Sequence, residues 1–324
     1  MILKKRPRRL RKNQIVRDLV SETTLDAKKL IMPYFVCEEN KVKKEIESMP
    51  GIFVNSLEEL LQEIESDYLL GVRNMLLFGL PKKKDPQGSG AYAKNGIIQK
   101  SIRKIKKEFS EINLIGDVCL CEYTSHGHCG QVDAGGNILN DATLKLLAKV
   151  ALAQTEAGVD WVAPSDMMDG RVAVIREVLD KKGFVDTGIL SYAVKYASAF
   201  YGPFRDAADS APQFGDRSTY QMDFRNSLEA EKEACLDVQE GADIIMVKPA
   251  LSYLDVIYRV KQKINLPVCA YNVSGSYSMV KTTARQNFID EKKMVLEILT
   301  SIFRAGADLI VSYHTRDVFK NKWF

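Results

Sequence analysis

The stretch Gly241-Ala-Asp-Ile-Ile-Met-Val-Lys-Pro-Ala250 contains four consecutive apolar residues between a glycine and a proline. A short apolar run of this kind predicts a β-strand that is buried on both faces, as in a parallel sheet. Lys248 ends the run and Pro249 cannot extend a central strand, so we expect the lysine amine at the strand's carboxyl end. An amine held among apolar groups loses hydration, and its lowered pKa makes it a nucleophile toward carbonyl groups.

Apolar, strand-like runs alternate with amphipathic, helix-like segments on both sides of this stretch. The expected strands begin near residues 30, 74, 113, 160, 187, 244, 266 and 309. Eight strands, each followed by a helix or a helical loop, form the pattern of a (β/α)₈ barrel, whose active site lies at the carboxyl ends of the strands. A doubly wound open sheet is the alternative, although no Gly-x-Gly-x-x-Gly turn follows any strand. We predict an α/β protein with a single TIM-barrel catalytic domain at residues 29–324.

Length and composition are those of an ordinary globular protein. The chain has 324 residues, of which 46% are hydrophobic and 27% charged, and its formal net charge is +4. No apolar run approaches the ~20 residues of a membrane helix, and no apolar signal segment follows the basic N-terminus. We therefore expect a cytoplasmic protein that binds no membrane and whose cysteines are reduced.

The first 28 residues are predicted to form an extended arm for subunit contacts. Basic residues can hold phosphates, but no aromatic residues are interleaved with them here and the net charge is small, which disfavours nucleic-acid binding. The basic residues of the arm are Lys4, Lys5, Arg6, Arg8, Arg9, Arg11 and Lys12.

Polar side chains end several of the predicted strands. Lys195 ends the fifth strand and Lys248 the sixth, so the two amines should lie within reach of each other, and their like charges lower the pKa of at least one. Because the carboxyl ends of barrel strands meet at one mouth, we expect a shared site there. The residues that this reasoning brings together are Asp117, Cys119, Cys121, Ser165, Lys195, Lys248, Ser274 and Tyr313.

Three cysteines, Cys119, Cys121 and Cys129, lie within eleven positions. Side chains alternate along a strand, so Cys119 and Cys121 should share a face, and a glycine-containing loop lets Cys129 fold back toward them. Thiolates are soft ligands that suit zinc, and three protein ligands leave an open position, as in catalytic sites. His126 and His128 are further candidate ligands, or they orient the loop.

The segment 200–221 follows Lys195 and is rich in aromatic, glycine and proline residues. Such a segment is typical of a mobile lid that excludes water when it closes. Arg205 and Arg217 offer planar forks for a carboxylate, and ordinary surface arginines are the alternative.

These motifs resemble those of the porphobilinogen synthase family, also called 5-aminolevulinate dehydratases. The resemblance covers nearly the whole chain and rests on Met246-Val-Lys-Pro249, Thr124-Ser-His-Gly-His128 and Lys195-Tyr-Ala-Ser-Ala-Phe-Tyr-Gly-Pro-Phe-Arg205. It implies a lyase of heme biosynthesis that condenses two 5-aminolevulinate molecules to porphobilinogen, losing two waters through Schiff bases on two lysines. It also implies a homo-octamer in which each N-terminal arm embraces a neighbouring subunit.

The resemblance assigns the catalytic role to Lys195 and Lys248. It implies that Ser274 and Tyr313 bind the carboxylate of the first substrate. The other substrate-binding residues that it implies are Arg205, Arg217 and Gln221 for the second carboxylate, and Asp117, Ser165 and Tyr201 around the first site.

Two metal sites follow from the same resemblance. Family members carry either a three-cysteine zinc site or an aspartate-rich version of the same loop, and this sequence has all three cysteines. The resemblance therefore implies a catalytic zinc ion that acts as a Lewis acid near the second substrate. Glu233 matches a position where some members bind an allosteric magnesium ion, and a solvated helix glutamate is the alternative.

Two other functions fit parts of the sequence. A class I aldolase also uses a barrel lysine as a Schiff base, but it needs neither a second lysine nor three cysteines. A zinc-binding nucleic-acid protein would use the basic arm, but the charged helices here are mixed in sign. Incubation with 5-aminolevulinate separates the three functions, because only the first forms a pyrrole.

Overall fold

Eight parallel strands close into a barrel in the computed structural model, which describes residues 3–324. Each strand pairs with the next along the chain, and the last pairs with the first through Leu30 opposite Ile310. The predicted TIM barrel is confirmed. Its strands are β1 (Leu30–Cys37), β2 (Asn74–Leu80), β3 (Asn113–Val118), β4 (Trp161–Pro164), β5 (Gly188–Lys195), β6 (Ile244–Lys248), β7 (Val268–Asn272) and β8 (Leu309–Ser312).

The helices that pack on the barrel bury apolar residues against it, whereas α1 in the N-terminal arm has no buried residue. In α3, Ile98, Ile102 and Ile105 recur every three or four residues and are buried, whereas Lys100 and Lys104 are exposed. The helices are α1 (Gln14–Leu19), α2 (Leu57–Leu70), α3 (Ile97–Glu108), α4 (Asn140–Glu156), α5 (Arg171–Lys181), α6 (Gly202–Ala208), α7 (Leu228–Gln239), α8 (Leu254–Lys263), α9 (Ser274–Arg285), α10 (Glu291–Arg304) and α11 (Thr315–Lys320).

Short elements complete the fold. Two antiparallel hairpins pair Lys43–Glu45 with Phe53–Asn55 and Gln131–Val132 with Ile138–Leu139. The 3-10 turns are Pro7–Arg11, Ala27–Lys29, Ser89–Tyr92, Ala199–Tyr201 and Leu251–Tyr253. Within residues 3–324, no helix is both long and apolar enough to cross a membrane.

The structure departs from the sequence prediction at several connections. The arm is not wholly extended, because Asn13 caps α1 by accepting a hydrogen bond from the backbone N–H of Val16 at 3.0 Å. The expected lid contains α6, which has Pro203 in its first turn, where a missing N–H does no harm. Helices α9 and α11 were not predicted. Residues 1 and 2 of the expected arm lie outside the described residues.

Candidate active site

Lys195 and Lys248 face each other across the ladder between β5 and β6. Both are buried, with exposures of 4% and 5%. The ladder is irregular just before them, because Ile245 pairs with Ser191 whereas Val247 pairs with Val194. Strand β5 therefore holds one extra residue, and this bulge brings the two lysines level. Bulges of this kind re-aim side chains beside active sites.

Aromatic rings surround the amine of Lys248. Its Nζ lies 4.3 Å from the ring centre of Tyr271 and 5.1 Å from those of Tyr192 and Phe204, and the ring of Tyr201 is at 5.2 Å. Burial lowers the pKa of Lys248 to about 7, and the nearby positive charge of Lys195 acts in the same direction. A large fraction of this amine is therefore unprotonated at neutral pH.

The amine of Lys195 has more polar surroundings. Its Nζ donates a hydrogen bond to the backbone carbonyl of Ser165. Asp117 lies close to both lysines; burial and the charge of Glu122 raise the pKa of its carboxyl, while the two lysines oppose that shift. The Oδ1 atom of Asp117 is buried without a hydrogen-bond partner. The site thus combines two amines with a carboxyl group that has spare bonding capacity.

Cys119, Cys121 and Cys129 come together as predicted, although for a different reason. Strand β3 ends at Val118, so the cysteines are brought together by a turn and not by the alternation of a strand. Their Sγ atoms all lie within 4.8 Å of one another, and those of Cys119 and Cys121 are 3.4 Å apart. Hydrogen bonds from the other two thiols lower the pKa of Cys129. Three buried, unbridged cysteines in this arrangement fit a soft divalent cation.

The two histidines of the loop hold other parts of the chain. The ring nitrogens of His128 are 3.1 Å from the hydroxyl of Tyr220 and 3.0 Å from the carbonyl of Phe214. His126 accepts a hydrogen bond from the backbone N–H of His128 at 3.1 Å. These contacts join the cysteine loop to the segment that follows α6, which favours an orienting role over a ligating one.

Three residues expected to bind a carboxylate carry unpartnered polar atoms. Arg217 donates to the carbonyls of Gly127 and Ser210 at 2.9 and 2.6 Å, and its Nε has no partner. The Nε of Arg205 and both amide atoms of Gln221 are also buried without partners. Burial, and then the charge of Arg217, lowers the pKa of Arg205. A carboxylate would satisfy these donors and relieve the repulsion between the two arginines.

Ser274 and Tyr313 lie on the Lys248 side of the mouth. The hydroxyl of Tyr313 is 3.0 Å from that of Tyr271, whose ring lies nearest to the Lys248 amine. Ser274 Oγ accepts a hydrogen bond from the backbone N–H of Phe204 at 3.1 Å, which anchors α6. Tyr201 donates its hydroxyl to the carbonyl of Lys248 at 3.0 Å, so it supports the end of β6.

Glu233 lies apart from the lysines, on α7. It is half-buried and lines a cavity of about 600 Å³ whose other acidic residues include Asp169, Asp223 and Glu229. Gln221 also lines this cavity, so the cavity borders the chain segment whose residues are expected to bind the second carboxylate. Within residues 3–324, no group of three converging metal ligands contains Glu233.

Tyr201 was expected near the first site, but the rings of Tyr192 and Tyr271 beside Lys248 and the buried carboxyl of Glu122 were not predicted from the sequence. Tyr192 lies in β5 and Tyr271 in β7. Their position near the carboxyl ends of strands that flank β6 was the available signal, because residues at that end of a barrel surround the site.

Comparison with known proteins gives consistent results over nearly the whole chain. The model of the delta-aminolevulinic acid dehydratase family matches residues 4–321. A delta-aminolevulinic acid dehydratase of Synechococcus elongatus is 55% identical over 315 residues, covering 96% of this chain and 97% of the relative. One of Bacillus subtilis is also 55% identical over 315 residues, covering 97% of each chain.

A solved structure has the same architecture. It is the crystal structure of delta-aminolevulinic acid dehydratase (porphobilinogen synthase) from Toxoplasma gondii ME49, in complex with the reaction product porphobilinogen. Its TM-score with this chain is 0.96 at 46% sequence identity, and the match covers 98% of this chain and 91% of that one.

Proposed function

Because the chain belongs to the delta-aminolevulinic acid dehydratase family, we propose that its barrel mouth condenses two molecules of 5-aminolevulinate to porphobilinogen through Schiff bases on Lys195 and Lys248. The reaction joins two ketones and releases two waters, and each lysine amine holds one keto carbon. The observation that carries the proposal is the register of β5 and β6, which places the two amines opposite each other.

Lys248 is suited to attack a keto carbon directly. With a pKa of about 7, much of the amine is unprotonated at neutral pH, and the rings around it exclude water from the imine. Asp117 would exchange protons at the site, a role supported by its buried carboxyl with an unpartnered Oδ1 and by the charges of both lysines that act on it. Ser165 supports Lys195 through its backbone carbonyl.

The two substrate carboxylates have separate binding groups in this proposal. The substrate on Lys248 places its carboxylate at Ser274 and Tyr313, since Tyr271 connects Tyr313 to that lysine. The substrate on Lys195 places its carboxylate among the unpartnered donors of the second group, which is supported by the repulsion between its two arginines. This second group consists of Arg205, Arg217 and Gln221.

Cys119, Cys121 and Cys129 would hold a zinc ion. When bound by these thiols, zinc would supply a Lewis acid that could stabilise a negatively charged oxygen or accept the lone pair of the substrate's amine. The protein's own contribution is to bury the three thiols and to keep His128 bonded to the segment after α6, so that the cysteine loop and that segment hold each other in place.

Glu233 would bind magnesium through bridging waters, as that ion needs only one or two carboxylates. The support is its position among acidic residues at a cavity that Gln221 also lines. Replacing Glu233 by Gln should remove any stimulation of activity by magnesium, with no change in activity measured in its absence.

The arm at residues 1–28 would wrap a neighbouring subunit of a homo-octamer. Leu10, Ile15 and Leu19 are 56%, 79% and 82% exposed, which leaves apolar side chains without a covering surface in a single chain. Sizing of the full chain against a variant with Ile15 and Leu19 replaced by Lys should show a smaller assembly for the variant.

The test of the proposed reaction is incubation of the full chain with 5-aminolevulinate, zinc and a reducing agent. We expect a pyrrole product, and borohydride added with the substrate should label Lys195 and Lys248 in a peptide map. Absence of the pyrrole under these conditions would exclude the function, and label on other lysines would exclude the assignment of the site.

A further inference from the structure

A group of charged residues outside the mouth connects three helices. We call Lys281, Glu291, His314 and Asp317 the Lys281 cluster. The Nζ of Lys281 lies 2.5 Å from a carboxylate oxygen of Glu291 and 2.6 Å from one of Asp317. His314 is fully buried, its Nδ1 is 3.9 Å from Asp317, and neither ring nitrogen has a hydrogen-bond partner. One ammonium group therefore bridges two carboxylates whose oxygens lie within 4.8 Å of each other.

The cluster connects parts of the fold that otherwise pack against different neighbours. Helix α9 carries Lys281 and packs against α6 and α10, whereas α11 carries Asp317 and packs against α2 and β1. Glu291 is the first residue of α10. Lys281 is thus a side-chain bridge from α9 to both α10 and α11.

The same two helices begin at the residues that would bind one substrate carboxylate. Ser274 is the first residue of α9, and Tyr313 lies two residues before the start of α11. The ring of Tyr277, one turn into α9, is 5.7 Å from the ring of Tyr313 and 4.5 Å from that of His314. A change in the separation of α9 and α11 would therefore move Ser274 relative to Tyr313.

We propose that the Lys281 cluster sets the distance between Ser274 and Tyr313, which makes Lys281 a positioning residue for the carboxylate of the substrate at Lys248. Without the ammonium, α9 loses its bridge to Asp317 on α11. The carboxylates of Glu291 and Asp317 then repel each other in partly buried surroundings, which moves α10, and α9 packed against it, away from α11. The inference rests on the proposed function of Ser274 and Tyr313.

The test compares Lys281→Met with a matched control, Lys261→Met. Lys261 on α8 forms an ion pair of 2.7 Å with Asp308, the residue before β8. This pair lies at the amino end of β8, whereas Tyr313 follows its carboxyl end. The probe is 4-oxopentanoate, which has the keto and carboxylate groups of the substrate without its amine. Borohydride trapping at increasing probe concentrations gives the half-saturation for each lysine.

We expect Lys281→Met to raise the half-saturation at Lys248 about tenfold, the size of a lost charge-assisted hydrogen bond, with the value at Lys195 unchanged. Lys261→Met should leave both values unchanged. Lys281→Arg, which restores the positive charge, should recover most of the affinity. Equal thermal destabilisation of the two methionine variants with no shift at Lys248 would show a merely structural role and overturn the inference.

A milder variant serves if Lys281→Met does not fold. Asp317→Asn keeps the pair between Lys281 and Glu291 but weakens the bridge from α9 to α11, and we expect a shift of two- to threefold in the same half-saturation, roughly that of a partial loss of the network. No shift in this folded variant would contradict the proposal. If the unmodified chain is labelled at neither lysine, the proposed function itself fails. If it is labelled but the variants leave the half-saturation at Lys248 unchanged, only the role of Lys281 fails.

Discussion

Lys195 and Lys248 occupy equivalent places at the ends of neighbouring strands, yet their amines have different surroundings. Four aromatic rings lie around the amine of Lys248, while the amine of Lys195 donates to a backbone carbonyl. Burial among these rings favours the uncharged form of the Lys248 amine. The difference teaches that burial alone does not define a reactive lysine, since both are equally buried and only their neighbours differ.

The largest expected effect comes from removing each amine in turn. Lys248→Met and Lys195→Met should each reduce pyrrole formation by at least about a thousandfold, because a covalent intermediate is lost. If the two lysines have distinct substrates, Lys195→Met should still be labelled at Lys248 by 4-oxopentanoate and borohydride. Loss of labelling at the one remaining lysine in either variant would show that the two sites are not independent.

The stability of Lys248→Met tests the effect of burying the Lys248 amine among aromatic rings. The folded-state pKa of Lys248, about 7, is below the ordinary value of 10.5, so between these pH values the unfolded chain binds a proton that the folded chain does not. Burying the lysine therefore destabilises the fold most at pH 7 and below, and the penalty fades as the pH rises toward 10.5.

We accordingly expect Lys248→Met to be more stable than the unmodified chain by on the order of 3 kcal/mol at neutral pH, with a smaller gain at pH 9. Thermal or urea unfolding at the two pH values measures this difference, with Lys261→Met as the control at a half-buried ion pair. A variant that is less stable at pH 7 would mean that the rings contribute more by binding an ammonium group than burial removes.

The smallest expected effect concerns the hydroxyl of Tyr271, which contacts Tyr313 in the proposed carboxylate site near Lys248. Tyr271→Phe keeps the ring 4.3 Å from the amine but removes the 3.0 Å hydrogen bond to Tyr313. The half-saturation for 4-oxopentanoate at Lys248 should rise roughly two- to tenfold, as for a neutral hydrogen bond, with little change at Lys195. A larger rise at Lys195 than at Lys248 would reverse our pairing of Tyr313 with Lys248.

Much of this site could be predicted because strand ends leave a local signature. An apolar run closed by Lys248 and Pro249 identifies both the strand and the end at which its last side chain lies. The meeting of the three cysteines was also predictable from their spacing, although the chain turns at Cys119 and the argument from strand alternation was wrong. Local patterns are thus sufficient for residues whose position depends on one strand.

Contacts that depend on barrel closure could not be predicted in the same way. Tyr271 reaches Lys248 only because β7 pairs with β6 in one particular register. The bridge between Lys281 and Asp317 joins residues on helices that follow different strands. Neither contact has a sequence period, since each is fixed by the curvature of the whole sheet and by packing between layers.

The extra residue in β5 has a consequence for how this enzyme family can tolerate change. Side chains alternate across a sheet, so without the extra residue between Ser191 and Val194 of β5, Lys248 would stand opposite Val194 and the two lysines would point to opposite faces. The extra residue brings Lys195 opposite Lys248 and onto the same face, and this effect depends only on the number of residues in β5. A deletion of one residue in this part of β5 would thus separate the two amines while leaving every reactive group in the sequence.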